Sequence, residues 1–352
     1  MKNCQKLMVG MLVVILLMGM GIVASAKQVD VPLTLDDAIG FALESSIDYQ
    51  IALLNWSNTE IDQKIQSLQP VQIEEDKLRM ELAARQAQGA LSTTQANVIF
   101  AVTQDYYALS RQERQLQIAE NQLALAQHDL NLVSRRVSMG ELPERELAKE
   151  QNRFNAVEAS VATSKRNYAN AVDNFFFLLG MNKQWESVNL VSEVPVPEFD
   201  LSLAASQELA QQNNQAIWER KINFRLTQIT LQKVMAQDPA PLVLQKAENN
   251  YLIHRLNAVK AERSFDQRLV TDWYGLQDAK RLLDAANVDY NLARDDYRLK
   301  TTQLEAGLIT RNQLLQSENS YLMAVNSLNE RSVNYYMAVL RYQRELGVLS
   351  FE

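Results

Sequence analysis

The sequence predicts an all-α protein: long antiparallel coiled-coil helices in two tandem helical-hairpin repeats. Three observations carry that prediction. Turn-forming residues are scarce, with Gly 10 and Pro 7 in 352 residues, about 5% where average usage gives about 12%. A β-rich or loop-rich chain needs more turn residues than that. Apolar residues recur at alternating steps of three and four, the spacing of a coiled-coil seam. Finally, the chain overlays itself without gaps for about 80 positions at a shift of 167.

The first residues read as an export signal. Lys2 and Lys6 precede an apolar run from Leu7 to Val23, and Ala24-Ser25-Ala26 fits a signal-peptidase site. Cleavage after Ala26 is expected; the rival is a retained anchor, since about 20 apolar residues just span a bilayer. Cleavage would remove Cys4, the only cysteine, and take the net charge from -7 to about -9. The acidic balance and the lack of a basic tract exclude nucleic-acid binding as a primary role.

Punctuation sets the organisation. Pro32, Pro70, Pro143, Pro195, Pro197, Pro239 and Pro241 fall at junctions. Gly140, Gly180, Gly307 and Gly347 each close a periodic segment, as helix-terminating glycines do. Helices are expected at 34–69, 72–139, 144–180, 201–237, 242–306 and 310–347. The second and fifth, at 1.5 Å per residue, approach about 100 Å. In one, Leu116, Ala119, Leu123, Ala126, Leu130, Val133 and Val137 form a seam. In the other, Leu276, Leu283, Ala286, Tyr290, Ala293 and Tyr297 repeat it. Each has a second apolar flank, Ile118, Leu125 and Leu132 matched by Ala285, Leu292 and Leu299. Glu113, Glu120, Gln127 and Ser134 mark a face left polar. A helix with two apolar flanks has two neighbours, which suits a ring of helices; a compact bundle would give one broad stripe.

The duplication fixes the units. Asp105-Tyr106-Tyr107-Ala108-Leu109 meets Asp272-Trp273-Tyr274-Gly275-Leu276, and Leu179-Gly180 meets Leu346-Gly347. Leu33-Thr34-Leu35 meets Leu201-Ser202-Leu203 at a shift of 168. The expected division is a signal peptide at 1–26, a first helical repeat at 27–187, a linker at 188–200 and a second repeat at 201–352.

Leu33-Thr34-Leu35-Asp36-Asp37-Ala38-Ile39 resembles the opening of TolC-like outer-membrane efflux proteins. So do the tip segments Val137-Ser138-Met139-Gly140-Glu141-Leu142 and Leu304-Glu305-Ala306-Gly307-Leu308-Ile309, and both Leu-Gly endings. The resemblance covers 33–349. It implies a homotrimer forming an α-barrel tunnel across the periplasm, with tips facing an adaptor (membrane fusion) protein and an inner-membrane pump. It also implies passive export of solutes. In that family a pair of β-strands precedes each long helix and builds the outer-membrane barrel. Here Ser67–Gln72 and Ala236–Pro241 leave no room for two strands of about 9–11 residues each. The sequence therefore reads as a TolC-like α-barrel protomer without the β-barrel.

No catalytic constellation, cofactor motif or metal-ligand spacing emerges. His128 and His254 are not equivalent under the repeat, and each reads as a polar helix-face residue. Asp36-Asp37 and Glu74-Glu75-Asp76 are ordinary partners of helix N-termini. The tip turns are the functional candidates: Gly140, Glu141 and Leu142, with Gly307, Leu308 and Ile309, as adaptor contacts. The bland reading is that Leu142, Leu308 and Ile309 only cap the turns. Arg145, Glu146, Glu305 and Arg311 are candidate tip ion pairs. In the family, acidic residues two turns beyond the second tip glycine narrow the tunnel; here Gln313 and Gln316 stand there, with Glu146 and Lys149 in the first repeat. Tyr106, Tyr107, Trp273 and Tyr274 lie mid-helix and are expected to pack between helices. Phe175-Phe176-Phe177 is either core or subunit interface. The functional expectation is a tunnel component of an efflux or secretion system. The alternative is an exported, non-conducting helical scaffold or interaction protein.

Overall fold

A computed structural model describes residues 32–68, 73–181 and 188–349. The expected signal segment, Gln69–Gln72 with Pro70, and residues 182–187 lie outside the described residues. The described residues form eight helices in order: α1 Leu35–Ser45, α2 Ile47–Ser67, α3 Glu74–Ser138, α4 Glu144–Leu178, α5 Leu203–Asn213, α6 Gln215–Met235, α7 Pro241–Glu305 and α8 Arg311–Leu346. The strands among the described residues are β1 Pro32–Leu33 and β2 Asn189–Leu190, paired in parallel as Pro32 with Asn189 and Leu33 with Leu190.

The two halves match element for element, α4 and α8 differing by one residue at 35 and 36. Helices α3 and α7 have 65 residues each, α1 and α5 11 each, and α2 and α6 21 each. Caps repeat as well. Thr34 and Ser202 accept hydrogen bonds from the N–H groups of Asp37 and Ala205. A cap of this kind satisfies a donor that the helix start otherwise leaves unpaired.

The helices expected at 34–69 and 201–237 are each two helices. The breaks fall at Ser46 and Asn214, equivalent under the repeat, with ψ 109° and 121°. Ser46 accepts from the Tyr49 N–H and Asn214 from the Ile217 N–H. Short polar side chains stabilise a non-helical cap residue by this local bond. Asn214 also donates to the Glu345 carbonyl at 2.7 Å.

Each half has its own core. In the first, Ala42, Val102, Leu109, Val172, Phe175 and Leu179 cluster. Their counterparts Ala210, Leu269, Leu276, Val339, Tyr342 and Leu346 cluster in the second. The antiparallel pairs α3/α4 and α7/α8 run side by side, and α3 packs on α8 across the halves. Phe100, Ala96, Met337 and Leu340 form the apolar part of that joint. Of the aromatic triplet, Phe175 and Phe176 are core, while Phe177 points outward.

The connection between the halves is fastened by aromatic donors rather than left loose. The Tyr107 hydroxyl donates to the Glu193 carbonyl at 2.7 Å, and Tyr335 to the Pro197 carbonyl at 2.9 Å. Burial pushes the Tyr107 hydroxyl's pKa well above the usual phenol value. Between α6 and α7 the chain turns within residues 236–240, with Asp238 at φ 48°. No strand occurs there, and the described residues contain no β-barrel.

Candidate functional site

The hairpin tips are built by the two glycines. Gly140 and Gly307 adopt φ 76° and 70°, the left-handed region that suits glycine. The Glu141 N–H reaches the Arg136 carbonyl at 2.9 Å, and the Leu308 N–H reaches the Gln303 carbonyl at 2.8 Å. These bonds close a helix by folding the next residues back over its last turn. The two tips share one end of the molecule, because α3 and α8 run antiparallel. Asn121 meets Asn319 at 3.1 Å and Arg114 meets Asn326 at 2.6 Å.

At the tips the apolar side chains differ in exposure. Leu308 is 74% exposed and Met139 65%, whereas Leu142 and Ile309 are half-buried. Glu141 pairs with Arg136 at 3.1 Å, a contact the sequence reading did not single out. Arg145 and Glu146, neighbours in the chain, stand 3.5 Å apart. Glu305 and Arg311 form no ion pair among the described residues. Gln313 is engaged elsewhere: Thr310 and Gln313 exchange hydrogen bonds as a reciprocal cap at the start of α8.

The second feature is which helix faces are covered. On α3 the flank residue Ile118 is buried, Leu125 half-buried and Leu132 exposed, and the joint with α8 is polar around Ile118. Arg111 and Glu330 approach to 3.8 Å. Burial draws Arg114 below its ordinary range. A cleft of about 350 Å³ lined by Asp105, Arg111, Asn326 and Glu330 lies along this joint, and burial raises the Asp105 carboxyl. On α7 the equivalent flank, Ala285, Leu292 and Leu299, is exposed. The polar face of Glu113, Glu120, Gln127 and Ser134 is exposed as well, with Glu120 near Lys165 at 3.5 Å.

Near the start of the long helices, α6 lies on α3 through polar contacts. Lys233 pairs with Glu75, Arg225 with Glu74 at 2.8 Å, and the Gln215 amide donates to the Arg85 carbonyl at 3.1 Å. The Arg85 guanidinium covers the Trp218 ring at 4.4 Å. The α2 side carries an uncovered apolar row instead: Ile47, Ile51, Leu54, Ile61, Ile65 and Leu68. Their 4,3,7,4,3 spacing was visible in the sequence, but periodicity alone does not say which seam is covered.

His128 and His254 are exposed, and His128 lies 3.5 Å from Asp129. Among the described residues no three His, Cys, Asp or Glu side chains gather as a metal site, and no helix is long and apolar enough to cross a membrane.

No protein-family model matches the chain, and no curated protein does. Solved structures do. The chain is similar to CusC, in work on its folding and transmembrane channel formation, with 12% identity, TM-score 0.59, and 93% of this chain and 95% of that one covered. Another is the CmeC outer-membrane channel of Campylobacter jejuni, at 12% identity and TM-score 0.58, covering 89% and 85%. A third is the outer-membrane protein VceC of Vibrio cholerae, at 11% identity and TM-score 0.57, covering 89% and 96%. The chain has the helical fold of TolC-type outer-membrane channels, and its described residues lack their barrel.

Proposed function

We propose that this chain is a tunnel component of an envelope export system, in which copies close into a homotrimeric ring and conduct solutes passively. The carrying observation is the uneven coverage of two equivalent helix faces. On the α3 flank α8 covers Ile118 and leaves Leu125 half-buried, with only Leu132 near the tip exposed, while on the α7 flank Leu292 and Leu299 both lack cover. A duplicated unit whose inner joint is filled and whose outer joint is open closes on itself through further copies. The fold likeness to outer-membrane channels supports the same reading.

In this reading the tips meet a periplasmic adaptor protein, through Leu308 and Ile309 and through Glu141 and Leu142, and an inner-membrane pump supplies the energy. The protein performs no chemistry of its own. It acts in the cell envelope after export, with its leader cleaved after Ala26 or kept as an anchor. The turn at 236–240, too short for a membrane hairpin, favours a second reading as an exported scaffold that binds partners without conducting.

Light scattering on the purified chain distinguishes the two. A tunnel requires a closed oligomer, expected to be a trimer; a strict monomer at micromolar concentration would remove the conduit. Export of a reporter solute in a host carrying the adaptor and pump then tests conduction.

A further inference from the structure

The geometry points to an outer joint between copies in which apolar pairs replace the ionic pairs of the inner joint. This inference rests on the ring reading above and specifies the surface that closes it. The inner joint places α6 on α3. Under the repeat, α6 corresponds to α2 and α3 corresponds to α7, so the outer joint places α2 of one copy on α7 of the next.

Each polar partner of the inner joint has an apolar or uncharged counterpart on those open faces. Lys233 maps to Ile65 and Glu75 to Leu242, which are 56% and 79% exposed. Gln215 maps to Ile47, 71% exposed. The α3 residues beneath it, Arg85 and Gly89, map to Leu252 and Leu256, the latter 68% exposed. Arg225 and Glu74 map to Ser57 and Pro241. The charged residues of these ion pairs are absent from both open faces at the mapped positions, and large aliphatic side chains stand at most of them.

A further observation supports a helical occupant. The α2 row recurs with steps of three, four and seven, and Leu242, Leu252, Leu256 and Val259 on α7 keep to the same heptad lattice. Such rows pack against another helix by knobs and holes. In the inner joint residues near the start of α6 meet Arg85 and Gly89, and residues near its end meet Glu75. Carried over by the repeat, this antiparallel order would place Ile47 opposite Leu252 and Leu256, and Ile65 opposite Leu242. An exposed apolar row of this length on a soluble surface marks a contact site.

The asymmetry also sets register. A second copy cannot displace the inner joint without placing aliphatic side chains against Lys233 and Glu75. Ionic and apolar joints thus exclude each other, and the array closes in one order.

The test exchanges the character of the outer joint. Ile65→Lys and Leu242→Glu are made singly and together, and the oligomer is followed by light scattering and sedimentation. Each single change places a charge against aliphatic side chains and is expected to raise the dissociation constant about 10- to 100-fold. The combined variant transplants the Lys233–Glu75 pair to the outer joint and is expected to recover the oligomer. Both sites are exposed in the protomer, so helicity by circular dichroism should stay unchanged. If a variant loses helicity, Ile47→Lys with Leu252→Glu repeats the test one end along. An oligomer that persists in both single variants, or that the double variant fails to restore, overturns the inference while the ring reading stands. A monomeric parent chain overturns the ring reading itself.

Discussion

The Tyr106 hydroxyl donates to the Leu33 carbonyl at 2.7 Å, and 167 residues later its counterpart Trp273 donates to the Leu201 carbonyl at 3.1 Å. The duplication has thus kept a contact and not only a pattern. In both halves a mid-helix aromatic donor pins the extended segment that leads into the first short helix. In the first half the bond is doubled, because the Tyr106 oxygen also accepts from the Ser192 N–H at 2.9 Å. Tyr106 therefore ties together β1, the segment after β2 and α3.

That arrangement predicts unequal costs. Tyr106→Phe leaves the Ser192 N–H without its partner and the part-buried Leu33 carbonyl with the Val191 N–H alone, a loss of about 1–3 kcal/mol. Trp273→Phe removes one more exposed bond and should cost about 0.5–1.5 kcal/mol. Urea unfolding of both variants beside the parent chain measures the difference. Equal losses would mean that the second bond to Ser192 adds nothing.

The four left-handed glycines also separate into two kinds. A Cβ at Gly347 would stand 2.4 Å from the Asn213 carbonyl oxygen, whereas a Cβ at Gly140 meets nothing within 4 Å. Gly140→Ala therefore pays only for its positive φ, about 1 kcal/mol. Gly347→Ala must also push the backbone at the α5–α6 break away from the end of α8. Its melting temperature should fall further than that of Gly140→Ala, as thermal unfolding followed by circular dichroism at 222 nm will register.

Acid should loosen the inner joint. Hydrogen bonds from Lys233, and next from Arg79, hold the Glu75 carboxyl below its ordinary range. A carboxyl with a depressed folded value stabilises the fold above its unfolded value, about 4.3. That contribution is lost as pH falls through the folded value. Glu75→Gln removes it, so the variant should lose less melting temperature than the parent between pH 7 and pH 3. Indistinguishable losses would show that the pair does not hold α6 on α3.

Much of this architecture could be read from residue spacing. The seam from Leu116 to Val137, the closing glycines and the 167-residue shift depend on short-range rules, and the helices follow them. The breaks at Ser46 and Asn214 were missed for a different reason. No Gly or Pro marks either site, and although Ser45-Ser46 and Asn213-Asn214 are cap-type residues, the apolar periodicity runs on across them; the interruption becomes favourable once a cap side chain finds its N–H and, for Asn214, the distant Glu345 carbonyl. The parallel pairing of Pro32–Leu33 with Asn189–Leu190 escaped notice because two residues carry no periodicity. At the tips, Leu308 and Ile309 were legible as candidates from their position after Gly307. The Arg136–Glu141 pair was not, since it depends on how the turn folds back.

The tips give the last prediction, on binding rather than stability. Leu308 is 74% exposed, so Leu308→Asp should leave the unfolding free energy within about 0.5 kcal/mol of the parent's, as surface substitutions do. If the tip meets an adaptor, the same change places a charge in the centre of that contact, where desolvation is costly. Cross-linking from a cysteine introduced at the exposed Met139 to a co-expressed adaptor should then fall sharply in the Leu308→Asp background. An Arg136→Ala change removes only an exposed ion pair and should leave both stability and cross-linking nearly intact. Cross-linking that survives Leu308→Asp while Arg136→Ala abolishes it would shift the contact from the second tip's apolar residues to the first tip's charges.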